Sequence, residues 1–318
     1  MIKEIGGYIE LELKDGEQFH KNAVALNSGR NAIRYAIRAY NITRLHVPYY
    51  ICPVIWDAIN DENCKIVPYH IDENLLPAKD FEPDDYILYV NYFGVCAAQV
   101  KKLTKKYPNL IVDNAMAFYM PHHGIASAYS PRKFFGLPDG GFAICNRQLE
   151  ENFQQDTSYH RFSHLIKRVD CGSNFAYADF NKNDESLNHE PIKFMSNLTY
   201  KMCANIDYQT AKEKRLNNYS FLAENLAHLN KLQITLDKDD VPMYYPLIIE
   251  HDNLRKNLVD NKIYIPQCWR NLNNICKENS YELYLHKYMF PLIIDQRYTS
   301  EDLKQIIKTV EETILIKR

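Results

Sequence analysis

Short β-rich runs alternate with helical ones through the first half of this chain, and that alternation limits the fold more than any other feature. "RLHVPYY", "CKIVPYHI", "YILYVNYFG" and "NLIVDNA" read as strands, rich in Val, Ile and Tyr and bounded by turn residues. Between them "GRNAIRYAIRAY", "CPVIWDAI" and "AQVKKLTKKY" carry apolar residues at helical spacing. Such alternation builds crossover units, which predicts a mainly parallel central sheet covered by helices. "GIASAY" and "GGFAICN" add two more strands.

The second half reads differently, with no glycine after Gly172. A long helical stretch is predicted from about Lys193 through "TAKEKRLNNYSFLAENLAHLN". Strand-like "QITLD", "MYYPLIIE", "KIYIPQ" and "MFPLII" follow, with helices between them. The last helix gathers Leu303, Ile306, Ile307, Val310 and Ile314 on one face, and Thr299 with Asp302 marks its start. Residues 155 to 192 read as an irregular, polar, bridging segment. The expectation is a large α/β domain over residues 1–195 and a smaller C-terminal α+β domain over 196–318.

Composition removes several function classes. A formal net charge of -2 offers no bulk attraction to nucleic acid or to an anionic membrane. "MIKEIGGYIELEL" is not a signal peptide, and no run reaches the roughly 18 apolar residues of a membrane span. A cytoplasmic location is expected. The eight cysteines include no C-x-x-C pair, and Cys52, Cys64, Cys96 and Cys145 read as small buried hydrophobes. His160 and His164 are four apart but lack a supporting carboxylate pattern, so no metal is expected.

Glycine is scarce, at ten, and six of them (Gly29, Gly94, Gly124, Gly136, Gly140 and Gly141) fall at junctions between elements of the first half. Ligands gather at such junctions in open α/β sheets. In "LNSGRNAI" a strand runs into Ser28-Gly29 and a helix opens at Arg30, which offers free N–H groups to a phosphate. In "NLIVDNAMAF" Asp113 ends an apolar strand. In "YSPRKFFGLPDGG" Lys133 lies beside Phe134 and Phe135, where partial desolvation would make its amine nucleophilic. Each has a plainer reading: an ordinary N-cap, a helix-capping Asp and a solvated turn Lys. Together, at the ends of three strands, they supply what pyridoxal 5'-phosphate needs: a phosphate cup, a carboxylate for the ring nitrogen and an amine for the aldehyde.

These segments also resemble the DegT/DnrJ/EryC1 family of fold-type-I pyridoxal-phosphate enzymes, best known as nucleotide-sugar aminotransferases. "SPRKFFGLPDGG" is similar to the lysine segment of a short branch of that family, "VDNAMAF" to its "EDAAQA" strand, and "NSGRNAI" to its "SGTAAL" turn. "VPYYICPVIWDAI", "VNYFGV", "EKRLNNYSFL" and "PLIIDQRYTSEDL" extend the likeness over nearly the whole chain. The resemblance implies that Lys133 bonds to the cofactor and shuttles protons, and that Asp113 pairs with the ring nitrogen. It implies a phosphate cup of Ser28, the Gly29 and Arg30 amides and Ser130. Tyr50 is the expected ring-stacking residue, although Cys52 aligns where the family often has that aromatic. Asn91 and Tyr92 would lie near the site floor. Apart from the resemblance, Trp269 with Arg270 in "QCWRN" reads either as the lining of a substrate cleft or, for Trp269, as ordinary packing of the small domain.

Two departures stand out. Arg30 replaces the usual Thr, and Met116 replaces a polar residue that faces the cofactor. The implied activity is a homodimeric transaminase, its site at the dimer interface, that moves an amino group from glutamate to a keto-sugar. Arg30 and Met116 favour an alternative, a non-catalytic homologue acting as a binding or regulatory protein in glycan biosynthesis. A dehydratase of the same family would carry His in place of Lys133. A metal-dependent glycosyltransferase would need a D-x-D, which "EPDDY" and "KDDVP" lack.

Overall fold

The structure, a computed structural model, describes residues 5 to 315, so the first four residues of the N-terminal stretch lie outside it. Seven strands form the central sheet: β1 (Val24–Leu26), β2 (Arg44–Pro48), β3 (Lys65–Tyr69), β4 (Ile87–Val90), β5 (Leu110–Asn114), β6 (Ala126–Tyr129) and β7 (Gly141–Cys145). Their spatial order is β1-β7-β6-β5-β4-β2-β3. Strands β2 to β6 pair in parallel, and β7 runs antiparallel between β6 and β1. The parallel core follows from the helices between strands: α1 (Gly29–Ala39), α2 (Pro53–Asn60) and α3 (Ala97–Lys106). Each buries an apolar stripe; that of α1 includes Ala32, Ile33, Ala36 and Ile37.

Register decides what meets at one edge. Val90 pairs with Asp113, and Asp113 with Ala128, so β4, β5 and β6 end side by side. Leu26, the last residue of β1, pairs with Gly141, the first of β7. The start of α1 therefore lies against the loop that follows β6.

Beyond the sheet, residues 155 to 192 are not irregular. They hold two helices, α4 (Ser163–Cys171) and α5 (Ser173–Ser186), with Gly172 at φ 85° between them. The polar reading failed because Ile166, Val169, Phe175 and Tyr177 are spaced among charges and point to solvent. The long predicted helix is broken at residues 205–207 into α6 (Asn197–Ala204) and α7 (Tyr208–Leu226), where Asp207 accepts from Thr210 N at 3.0 Å. "MYYPLIIE" and "MFPLII" contain β8 (Tyr244–Ile248) and β9 (Met289–Ile293), which pair antiparallel.

"QITLD" and "KIYIPQ" are not strands. The first ends in a turn where Asp240 and Asp237 carboxylates take the N–H groups of Asp237 and Asp239. The second contains Pro266, which removes a ladder donor. Helices α8 (Leu254–Asp260), α9 (Leu272–Ile275), α10 (Tyr281–Tyr288) and α11 (Ser300–Leu315) complete the chain. Thr299 N donates to Asp302 at 2.8 Å at the start of α11, and Leu303, Ile306, Ile307 and Val310 are buried beneath it. Among the described residues no helix is long and apolar enough to cross a membrane.

One buried group makes the fold sensitive to acid. The His20 ring packs 4.0 Å from Tyr129 and donates Nε2–H to Phe118 O at 2.8 Å. Burial lowers its pKa to about 4, against a smaller opposing effect of that hydrogen bond. The unfolded chain takes up a proton at His20 near pH 6.5, the folded one only near 4, so this contribution to stability falls as pH drops between those values. The shift corresponds to about 3 kcal/mol at full extent. His20→Gln should flatten the pH 4–6.5 slope of unfolding free energy, measured by urea titration at several pH values.

Candidate active site

The first element of the site is the opening of α1. Ser28 is extended (φ -159°) and caps the helix, its Oγ accepting from Asn31 N at 3.2 Å. The helix dipole and the first-turn amides of Gly29 and Arg30 favour an anion there. Ser130, buried at the end of β6, is pressed against this turn: a Cβ on Gly29 would lie 3.0 Å from Ser130 Cβ and 3.3 Å from its Oγ. Ser130 Oγ has no hydrogen-bond partner among the described residues. Asn27 ties the turn down, accepting from Gly140 N at 2.9 Å and donating its own N–H to Lys193 O at 3.0 Å.

Asp113 and Lys133 are the second element. Asp113 is buried and accepts from Ala115 N at 2.9 Å, with no ion pair among the described residues. Burial raises its carboxyl pKa; the charge of Lys133 and the Ala115 N–H oppose that rise. Lys133 ends a tight turn over Pro131–Lys133, its N–H bonded to Ser130 O at 3.3 Å. The expected desolvation is not found. The turn sends Phe134 into the core and leaves Lys133 exposed in the single chain. Its amine makes no hydrogen bond or ion pair among the described residues. Its charge is felt at Cys52 and Cys268, where burial raises both thiols and Lys133 opposes the rise.

Other expected residues are placed less simply. Tyr50 is wholly buried, with Trp269 edge-on at 4.7 Å, Tyr92 tilted at 5.6 Å and its hydroxyl unpartnered. It presents no open ring face, and Cys52 is the one of the two that senses Lys133. Tyr92 is fully buried, and Asn91 donates to Asn114 Oδ1 at 3.2 Å. Met116 belongs to the hydrophobic core. Trp269 is half-buried against Tyr50, and Arg270 is exposed.

The Arg30 guanidinium bonds to Asn188 Oδ1, just beyond α5. Burial lowers its pKa, Asp184 counters, and the neighbouring Arg132 lowers it further. Arg132 in turn pairs with Asp184 at 2.8 Å.

Several supporting residues went unnoticed in the sequence. Arg161 is buried and bonds to Asp139 at 2.8 Å and Asp156 at 2.6 Å, which anchors the "PDGG" loop. Thr199 Oγ1 donates to the other Asp139 oxygen at 2.6 Å. Arg215 and Gln296 both donate to Phe134 O. Apart from Asp156, which is close to Arg161 in sequence, their partners lie tens of residues away, so spacing alone carried no signal. Among the described residues no group of three His, Cys, Asp or Glu side chains is arranged to hold a metal ion.

The residues present fit pyridoxal 5'-phosphate. Asp113 is a buried carboxylate without a cation of its own, suited to a protonated ring nitrogen. Ser130 Oγ and the α1 amides suit a phosphate, and Lys133 offers a free amine. No family profile and no curated protein matches the chain by sequence. Solved structures do match in shape. DesV from S. venezuelae is 17% identical, with a TM-score of 0.61 over 91% of this chain and 84% of that one. The putative sugar aminotransferase Spr1654 from Streptococcus pneumoniae, solved in apo and PMP forms, is 14% identical in its apo form, with a TM-score of 0.62 over 93% and 87%. A DegT DnrJ EryC1 StrS aminotransferase from Brucella abortus is 13% identical, with a TM-score of 0.61 over 91% and 85%. The chain has the fold of these fold-type-I aminotransferases.

The tightest point of the site is Gly141, where a Cβ would collide with the Ser28 carbonyl and lie 2.6 Å from Gly29 N. Gly141→Ala should cost about 3 kcal/mol or more of stability, because both neighbours are backbone. A denaturant midpoint close to that of the wild type would contradict this packing.

Proposed function

We propose that the protein is a pyridoxal 5'-phosphate-dependent aminotransferase that passes an amino group from glutamate to a keto-sugar, nucleotide-linked or similar. The carrying observation is the pairing of a free Lys133 amine with a buried, cation-less Asp113, beside the phosphate-ready opening of α1. The printed names of the structural neighbours, several of them sugar aminotransferases, support the substrate class. When bound, the cofactor supplies an electron-poor ring that accepts charge from the carbon attached to the substrate nitrogen.

The chain's own residues do the rest. Lys133 Nζ would hold the cofactor through its aldehyde and, when free, would serve as the base that moves a proton within the site. Asp113 keeps the ring nitrogen protonated. Ser28, Ser130 and the amides of Gly29 and Arg30 hold the phosphate. Arg30 adds positive charge near that turn while anchored by Asn188.

A homodimer with its site at the interface belongs to the same reading. Its support is the exposure of Lys133 together with the bare apolar side chains of α4 and α5, Val169 at 85% and Phe175 at 64% among them. We place the division between a large cofactor domain and a small C-terminal domain near residue 195, and the protein in the cytoplasm, with small molecules as its substrates. The non-catalytic alternative is favoured by the Arg30 anchorage and by Met116 lying in the core.

Borohydride treatment of the cofactor-loaded protein should add the cofactor's mass to the peptide containing Lys133. If Lys133→Ala is labelled and retains cofactor as the wild type does, the assignment is wrong. Asp113→Asn should still bind cofactor but slow the glutamate half-reaction on the order of a hundredfold or more, read by stopped-flow absorbance.

A further inference from the structure

Nothing at the tip of the Lys133 side chain decides where its amine lies, because Nζ has no partner among the described residues. Its backbone must decide, and the next carbonyl, Phe134 O, is held from the far end of the chain. Arg215 Nη2 in α7 donates to it at 3.2 Å, and Gln296 Nε2, between β9 and α11, at 2.8 Å. The Arg215 guanidinium also lies 4.5 Å over the Phe134 ring. Both the carbonyl and the ring of the residue after Lys133 are therefore fixed by one side chain.

Arg215 is an expensive residue to keep here. It is 1% exposed, its Nε has no partner, and it forms no ion pair among the described residues. Nη1 reaches Met243 O at 3.2 Å and Pro242 O at 3.4 Å, so Arg215 binds carbonyls only. Burial lowers its pKa to about 10, with Asp295 opposing, so it stays charged at neutral pH. A buried cation answered only by carbonyls and one aromatic ring adds little net stability compared with an apolar residue of similar size. What it adds is connection. Met243 N donates to Phe93 O at 2.8 Å, at the end of the sheet. Asn218, one turn along α7, donates to Ile294 O, Asp295 O and Tyr298 O at 3.2, 3.2 and 3.1 Å, which fixes the loop carrying Gln296. One face of α7 thus grips the Lys133 turn directly and again through Gln296.

Resting on the reading of Lys133 as the cofactor-bearing residue, we propose that Arg215 and Gln296 are positioning residues that set the reach of its amine. Through the Phe134 carbonyl they transmit the placement of the C-terminal segment to Lys133. A displacement of about 1 Å at a reacting group can cost on the order of a hundredfold in rate, so such a grip has consequences for turnover.

The test compares Arg215→Met, which keeps volume and removes the buried charge, with Gln296→Leu and the double variant. Three readouts are needed: the thermal midpoint, the rate of Lys133 acetylation by acetic anhydride in cofactor-free protein, and kcat and KM for the glutamate half-reaction of loaded protein. Gln296→Leu should keep its midpoint, change the acetylation rate several-fold, and lower kcat on the order of tenfold with KM for glutamate little changed. Arg215→Met should do more, and the double variant no worse, because both side chains act on one carbonyl. Folded variants whose Lys133 acetylates and turns over like the wild type would overturn the proposal, and if Arg215→Met does not fold, Gln296→Leu alone decides. If Lys133→Ala still loads cofactor normally, the functional reading fails instead, a separate outcome.

Discussion

Two backbones that touch without an intervening side chain set the geometry of the rest. The start of β7 lies so close to the Ser28–Gly29 peptide that Gly141 has no room for a Cβ, and Gly29 in turn lies against Ser130. Three chain segments that are far apart in sequence therefore share one small volume at the opening of α1. That volume is where a helix offers its positive end and its spare N–H groups. The sheet register completes the arrangement, since β4, β5 and β6 finish beside one another and deliver Asn91, Asp113 and Ser130 to the same edge. Asn27, Asp139 and Arg161 hold the loop in place from behind.

Electrostatics give the edge its chemical character. A carboxylate buried without a cation is costly, and Asp113 is relieved only by one N–H and by the charge of Lys133. A cationic ring nitrogen is the kind of guest that turns this cost into binding. Lys133 stands at the other extreme, exposed and unbonded in the single chain, so its placement is inherited from the turn that carries it. Arg215 and Gln296 make that inheritance specific. The same logic explains Arg30: its guanidinium is committed to Asn188, and its backbone amide remains available to the α1 opening.

Much of this was legible in local pattern. Apolar runs identified six of the seven strands of the sheet and the "LNSGRNAI" junction the end of the other, and the parallel strands β2 to β5 read as runs of Val, Ile and Tyr. Scarce glycines marked the junctions, and at Gly94, Gly124 and Gly141 an added Cβ would collide with the backbone of another segment. What failed depended on tertiary context. "QITLD" and "KIYIPQ" have strand composition but no pairing partner, and α4 and α5 were hidden because their apolar residues face outward rather than inward. Tyr50 and Cys52 are two residues apart, and only packing around Trp269 shows which of them is enclosed and which senses the Lys133 charge. The buried polar links of Arg161, Arg215 and Gln296 join distant segments, and no periodicity announces such pairs.

The central claim is that Lys133, Asp113 and the α1 opening form a working pyridoxal-phosphate centre. The most direct measurement is the absorption spectrum of protein loaded with pyridoxal 5'-phosphate, recorded before and after glutamate is added. The account predicts a visible band from the lysine-bound cofactor that fades with glutamate while the band of the amine form grows. A protein that develops no such band, or one whose band is unmoved by glutamate and by every other amino acid tried, would contradict it.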